Sequence, residues 1–193
     1  MSEAVVKFLK RISWVLLISF IVRCAISWSE IKTGFSLYTI FGYAGEAIAF
    51  SSIFAALYEK IIWKYDPLLK WPVLYKEYKG TIKSNYDGTS RDISVRVKQS
   101  LFSVYVFLKT DESNSNAITA DIVNRDGEYV LCYSYLNHPK AEVRERSEIH
   151  YGTSILRIEE KAKQLEGTYF TDRNTTGDII LHGIEMKKQK GQT

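Results

Sequence analysis

The chain has 193 residues, 46% of them hydrophobic and 13% aromatic, with a formal charge of +4. That length allows one modest domain beside an anchor, and the mild charge, spread over scattered lysines, argues against a nucleic-acid polymer as partner. Two isolated cysteines, Cys24 and Cys132, make neither a disulfide framework nor a metal site.

Residues 1–11 form a short basic lead containing Lys7, Lys10 and Arg11. Two apolar stretches follow. The first, about 12–28, has Arg23 as its only charge, and the second, about 35–58, has only Glu46. A bilayer core takes about 20 apolar residues of helix, so residues 1–65 read as a transmembrane hairpin. A cleaved signal peptide and a soluble core helix are the competing readings of the first stretch. Arg23 stands where small residues would define a cleavage site, and a longer span follows at once. Basic residues precede the hairpin and follow it at Lys60, Lys64 and Lys70, whereas Glu30 and Lys32 cancel in the connection. Both termini are therefore expected in the cytoplasm, as those of a multi-pass inner-membrane protein. Charges inside a bilayer are rare and usually paired. Arg23 and Glu46 differ in depth by about 7 Å at 1.5 Å per residue, within reach of each other. They are the candidate intramembrane assembly residues, either as a pair within one hairpin or as a pair between protomers.

Residues 66–77 are a connector with breaks at Asp66-Pro67 and Trp71-Pro72. From residue 78 the period becomes two, as in Ile93, Val95 and Val97 alternating with Ser94, Arg96 and Lys98. Eight strands are expected, at about 78–84, 91–99, 102–109, 117–124, 128–136, 149–159, 164–171 and 178–186. Asp87-Gly88, Asp126-Gly127 and Thr176-Gly177 serve as turn signals. Eight strands without a helix between them imply an antiparallel barrel or sandwich, and a barrel of that size holds packed side chains or one small ligand. The fold class is an α+β membrane protein: a two-helix hairpin, an antiparallel eight-stranded barrel over 78–186 and a basic tail over 187–193.

An up-and-down order gathers loops 85–90, 110–116, 137–148 and 172–177 at one mouth. Thr110, Ser113, Ser115, Asn137, Arg173 and Thr175 come from these loops. Inward parity adds Gln99, Tyr133, Tyr135 and Tyr169. Tyrosines stack bases, arginine grips phosphate with a bidentate fork, and hydroxyls and amides read base edges and sugars. The inventory suits a small phosphorylated ligand carrying bases. Catalysis finds little support. His138, His150 and His182 are scattered, with no metal-ligand spacing, Gly-rich phosphate loop or nucleophile elbow. His150 reads as a hydrogen-bonded strand residue. No enzyme activity, metal or cofactor is expected.

The order of two spans, a Trp-Pro break and an eight-stranded barrel resembles the two-transmembrane β-barrel effectors of bacterial cyclic-oligonucleotide anti-phage signalling (CBASS). The resemblance rests on Trp71-Pro72, Tyr78, Gly80, Gln99, Thr110 with Ser113 and Ser115, and Tyr133-Ser134-Tyr135 with Asn137 and Pro139. It continues through His150, Gly152, Gly167, Tyr169, Thr171, Arg173 and Gly177. It implies an inner-membrane effector whose barrel binds a cyclic dinucleotide made by a neighbouring CD-NTase, a nucleotidyltransferase. Binding would drive homo-oligomerisation in the lipid bilayer, membrane disruption and abortive infection. Two other readings stay open: a tethered lipocalin-like carrier, with an apolar lumen and no mouth arginine, and a structural membrane scaffold, with a filled lumen.

Overall fold

From Glu77 onward the alternating pattern becomes an eight-stranded antiparallel sheet closed on itself in the computed structural model, which describes residues 3–34 and 36–185. The strands are β1 (Glu77–Ser84), β2 (Ser90–Gln99), β3 (Val104–Lys109), β4 (Ser113–Arg125), β5 (Glu128–Pro139), β6 (His150–Glu159), β7 (Gln164–Thr171) and β8 (Thr176–Gly183). Each pairs with its sequence neighbours, and β8 returns to β1. Closure leaves no unpaired sheet edge. The expected strand order is thus realised as a barrel rather than a sandwich.

The largest correction concerns β4 and β5. Residues Ser113–Asn116 and Asn137–Pro139, expected in loops because of their polarity, belong to the sheet. Ser113 pairs with Pro139, Asn114 with His138 and Ser115 with Asn137. Main-chain hydrogen bonds carry this extension, so polar side chains do not end the ladder. They can face a cavity as readily as solvent. A register shift between Ala117 and Thr119 divides this extension from the rest of β4. The expected tail 187–193, with Lys187, Lys188 and Lys190, lies outside the described residues, as do Phe35 and Met186.

One half of the lumen is filled. Tyr78, Val95, Leu131, Leu156, Leu165, Ile179 and Leu181 are almost wholly buried. The Tyr78 hydroxyl donates to the Ala162 carbonyl at 2.9 Å and accepts the Tyr75 N–H at 3.0 Å, which ties the β6–β7 turn to the segment before β1. Small residues let neighbouring strands approach closely. A Cβ at Gly80 would overlap the Ile180 carbonyl of β8. Overpacking usually costs about 1–3 kcal/mol, and a laddered carbonyl has less freedom to yield than a side chain. Gly80→Ala is therefore expected to lower stability by at least that amount, read as a drop in melting temperature. An unchanged melt would show that β8 can shift.

The chain divides into two compact units. One holds the described residues up to Trp71 together with Ser100–Phe102, and the other holds Pro72–Gln99 and everything from Ser103. In the first unit, α1 (Glu3–Ile26), α2 (Trp28–Thr33) and α3 (Leu37–Lys60) are followed by a short 3-10 turn, Ile62–Tyr65. The first helix starts well before the expected 12–28, and the connection expected between the spans is itself the helix α2. Among the described residues, one helix, α3, is long and apolar enough by length and composition to cross a bilayer. The apolar run of α1 is interrupted by Arg23.

The two long helices nevertheless meet along their lengths. Arg23 Nε lies 2.5 Å from Glu46 Oε2, its guanidinium sits 4.2 Å from the Tyr43 ring centroid, and it also bonds the Ser27 hydroxyl. The pair expected from sequence forms here within a single chain. At the other end Arg11 reaches Asp66 at 2.5 Å, Tyr58 donates to the same carboxylate, and Phe8 packs on Tyr58 and Phe102.

Candidate functional site

Strand parity decides what faces the lumen. On β5 the residues Tyr133, Tyr135 and Asn137 alternate inward; on β6 it is His150, Gly152 and Ser154; on β7, Tyr169 and Thr171. Register then sets large beside small. Tyr135 pairs with Gly152, Tyr169 with Gly177, and Ser154 stands between Tyr133 and Tyr169. A Cβ at Gly152 would strike the Tyr135 ring, so only glycine leaves that ring its place. This alternation opens the second half of the lumen into a cavity of about 320 Å³. It lies at the end formed by residues 85–89, 110–112, 140–149 and 172–175. Its size is at the low end of the ~300–1,000 Å³ common for ligand clefts.

The cavity grades from apolar to polar. Leu108, Ile179, Tyr133 and Ser154 form its deep part, and Tyr135 and Tyr169 its walls. Ser113, Ser115 and Asn137 make one polar flank, and the Asn137 amide nitrogen lies 3.1 Å from both serine hydroxyls. Deepest are two polar groups without settled partners. The Tyr133 and Ser154 hydroxyls are buried side by side, and neither makes a hydrogen bond of full geometry among the described residues. Such groups cost free energy unless something pairs with them. Burial pushes the Tyr133 phenol up to about 12 and raises Tyr135 as well, so both are neutral donors at pH 7.

Three arginines ring the opening: Arg91, Arg146 and Arg173. Arg91 lies 2.5 Å from Asp87, and Arg146 2.6 Å from Glu112. Arg173 touches neutral groups, the Ser147 hydroxyl at 3.4 Å and His150 Nε2 at 3.5 Å. His150 Nδ1 sits 2.8 Å from the Glu148 carbonyl, which assigns the proton to Nδ1 and leaves Nε2 as the acceptor facing Arg173. Burial, and next among the lowering causes the Arg173 charge, hold His150 below its ordinary value. A histidine lowered on folding binds its proton more weakly in the folded state, so its contribution is present above about pH 6.5. That contribution is lost as pH falls from there toward the folded value. Chemical denaturation of the wild type is expected to show this decline, and His150→Gln to flatten it. An identical profile for the variant would assign the decline to other groups.

Of the ten residues expected at the site, nine line this one cavity: Thr110, Ser113, Ser115, Tyr133, Tyr135, Asn137, Tyr169, Arg173 and Thr175. Gln99 does not. Its parity is inward, but β2 runs away from the opening, and its amide instead accepts the Leu74 N–H and donates to the Pro72 carbonyl, both at 2.9 Å. Parity sets the face of a strand and says nothing of depth. Thr110 and Thr175 are engaged locally: the Thr110 hydroxyl caps the turn at Glu112 and Ser113, and that of Thr175 lies 2.6 Å from Thr171. Sequence reasoning missed Arg91, Arg146, Ser154 and the lumenal place of His150. Arg91 shares the parity of Ile93, Val95 and Val97 and could have been found that way. Arg146 lies in a loop, where no period applies. Among the described residues no cluster of three or more His, Cys, Asp or Glu could hold a metal.

The polar flank and the mouth arginines depart from the apolar lumen expected of a lipocalin-like carrier, and the open half departs from the filled lumen of a scaffold. Comparison with known proteins points the same way. The family model for "Cap15, cyclic dinucleotide receptor domain" matches residues 69–182, the barrel and the segment leading into it. A protein named CD-NTase-associated protein 15 from Staphylococcus schleiferi is 30% identical over 189 residues, covering 96% of this chain and 100% of the relative. One of the same name from Yersinia aleksiciae is 33% identical over 101 residues, 51% of this chain and 48% of its own. Among solved structures a redesigned β barrel covers 58% of this chain and 92% of its own, with a TM-score of 0.45 and 9% identity, a likeness that carries no functional inference. With a family model over more than half its length and a relative aligned from end to end, this chain belongs to the Cap15 cyclic dinucleotide receptor family of CBASS effectors.

Proposed function

We propose that the barrel binds a cyclic dinucleotide in this cavity and that binding drives self-association and disruption of the inner membrane. The observation that carries the binding step is Arg173. It is a cation at the mouth without a carboxylate partner among the described residues, beside two tyrosine walls and above two unpaired hydroxyls. Arg173 takes a phosphate, Tyr135 and Tyr169 take base faces, and Ser113, Ser115, Asn137 and Tyr133 read polar edges. Thr110 and Thr175 shape the rim. In this reading the barrel acts as a receptor, and the ligand is bound rather than converted. Titration calorimetry of the full chain in detergent against cyclic di-AMP, cyclic di-GMP and cyclic GMP-AMP tests the reading. Saturable binding of one of them supports it, and no heat with any of the three defeats it.

In this reading residues 1–65 are the membrane part, 66–77 the connector and 78–186 the receptor, with both termini cytoplasmic. The apolar, outward-facing Trp14, Ile18 and Ile21 of α1 and Phe41 and Ile53 of α3 suit lipid contact. Neutralising Arg23 on Glu46 lowers the cost of placing α1 beside α3 in a bilayer. The cyclic dinucleotide would come from a CD-NTase, and assembly would concentrate the tethered helices, favouring contacts too weak for free monomers. Sedimentation of the full chain in detergent should show larger species only with ligand. Arg23→Leu or Glu46→Gln should leave ligand binding intact while altering assembly or toxicity. Normal toxicity of both variants at equal expression would reduce the pair to a structural contact.

A further inference from the structure

The three arginines at the mouth stand in three electrostatic states. Arg91 is gripped by Asp87 through two nitrogens, at 2.5 and 3.3 Å, and Asp87 is itself held by the Thr89 N–H at 3.1 Å. Arg91 and Thr89 together hold the Asp87 carboxyl well below the usual carboxylate range. That pair is built into the β1–β2 turn. Arg173 faces neutral groups. Arg146 is intermediate: its Nη2 lies 2.6 Å from Glu112 Oε1, both side chains are exposed, and Glu112 makes no second ion pair among the described residues. The same glutamate accepts the Lys140 N–H on its backbone carbonyl at 2.8 Å, so the 110–112 turn and the 140–149 loop are joined twice. The residue after Arg146 is Ser147, whose hydroxyl receives Arg173. Arg146 and Arg173 therefore flank one opening, and one of them already carries an anion.

We propose that Glu112 is a resident counter-anion that sets the affinity of the site: it pairs with Arg146 and gives way to a ligand phosphate. The proposal rests on the cyclic dinucleotide reading and adds to it a residue that opposes binding. A cyclic dinucleotide carries two phosphates. The first meets Arg173 without competition, and the second reaches Arg146 by exchanging with the Glu112 carboxylate. The exposed pair is weak enough to exchange yet occupies the guanidinium whenever ligand is scarce, so the threshold for occupancy rises. The Asp87–Arg91 pair, fixed on both sides in its turn, stays closed.

The sign of the effect separates this role from the alternatives. Glu112→Gln removes the competing charge and keeps an amide of nearly the same shape. It is expected to tighten binding by about two- to five-fold, the range that exposed ion pairs support, with the gain shrinking at high salt. Arg146→Ala should weaken binding, and Glu112→Gln made in that background should gain less than it does in the wild type, because only the repulsion between the ligand and the Glu112 charge, which Arg91 also feels, is then relieved. The measurement is calorimetric titration of the full chain in detergent with whichever of cyclic di-AMP, cyclic di-GMP or cyclic GMP-AMP the wild type takes, with a thermal melt of each variant. A direct contact from Glu112 to a base N–H predicts weaker binding for Glu112→Gln, and a purely structural contact predicts none of these shifts. Either result overturns the proposal and leaves the cyclic dinucleotide reading standing. A wild type that takes none of the three overturns both.

Discussion

Arg173→Ala is expected to weaken cyclic dinucleotide binding by about 10- to 100-fold while leaving the barrel's melting temperature nearly unchanged. The magnitude follows from hydrogen bonds to a charged group, worth about 1.5–3 kcal/mol, and a tenfold change per 1.4 kcal/mol. The asymmetry follows from position. The guanidinium lies on the β7–β8 turn against one serine and one histidine nitrogen, at 3.4 and 3.5 Å, so the fold loses little when it goes. Arg173→Lys should recover part of the affinity, because an ammonium keeps the charge without the planar fork. Titration of a folded Arg173→Ala chain that matches the wild type would remove this residue from the phosphate site. Loss of Arg173 should also relieve His150, whose protonation its charge opposes.

The second large effect lies at the cavity floor, where fold and function pull apart. Tyr133→Phe combined with Ser154→Ala removes two adjacent buried hydroxyls that neither solvent nor well-aligned partners satisfy. Deleting buried hydroxyls that have no well-aligned partner removes an unmet desolvation cost and is close to neutral or stabilising. The double variant should therefore melt at or above the wild-type temperature. If a ligand edge pairs with these hydroxyls, two hydrogen bonds at about 0.5–1.5 kcal/mol each are lost, and binding should fall by about tenfold. A stabilised barrel with unaltered affinity would place the ligand nearer the mouth. A destabilised one would mean that the two hydroxyls serve the fold.

Period and punctuation in the sequence already determined an antiparallel, all-strand domain. Alternation through Ile93, Val95 and Val97, turn glycines at Gly88 and Gly127, and the lack of a helix between strands leave a barrel or a sandwich, and β8 returning to β1 decides for the barrel. Sequential antiparallel strands also sort the loops into two ends, which is why nine of the ten residues expected at the site line one cavity. Both signals are local, carried by residues that are neighbours in sequence. The apolar α3 and the opposed charges of Arg23 and Glu46 were legible in the same way.

Other features needed the tertiary structure because they depend on distances between residues far apart in sequence. The ladder carries Ser113 and Asn137 into the sheet, which their polarity alone did not reveal. Depth along the lumen separates Gln99 from its expected companions, since parity has a face and no height. The pairing of Tyr135 with Gly152 opens the cavity, and no property of either residue alone encodes that empty space. The charge state of the mouth was least legible of all. Arg146 meets Glu112 across 34 positions of sequence, and Arg173 is left with neutral neighbours. Which arginine is free for a phosphate is a matter of which carboxylates the closed barrel brings within reach, and closure alone decides that.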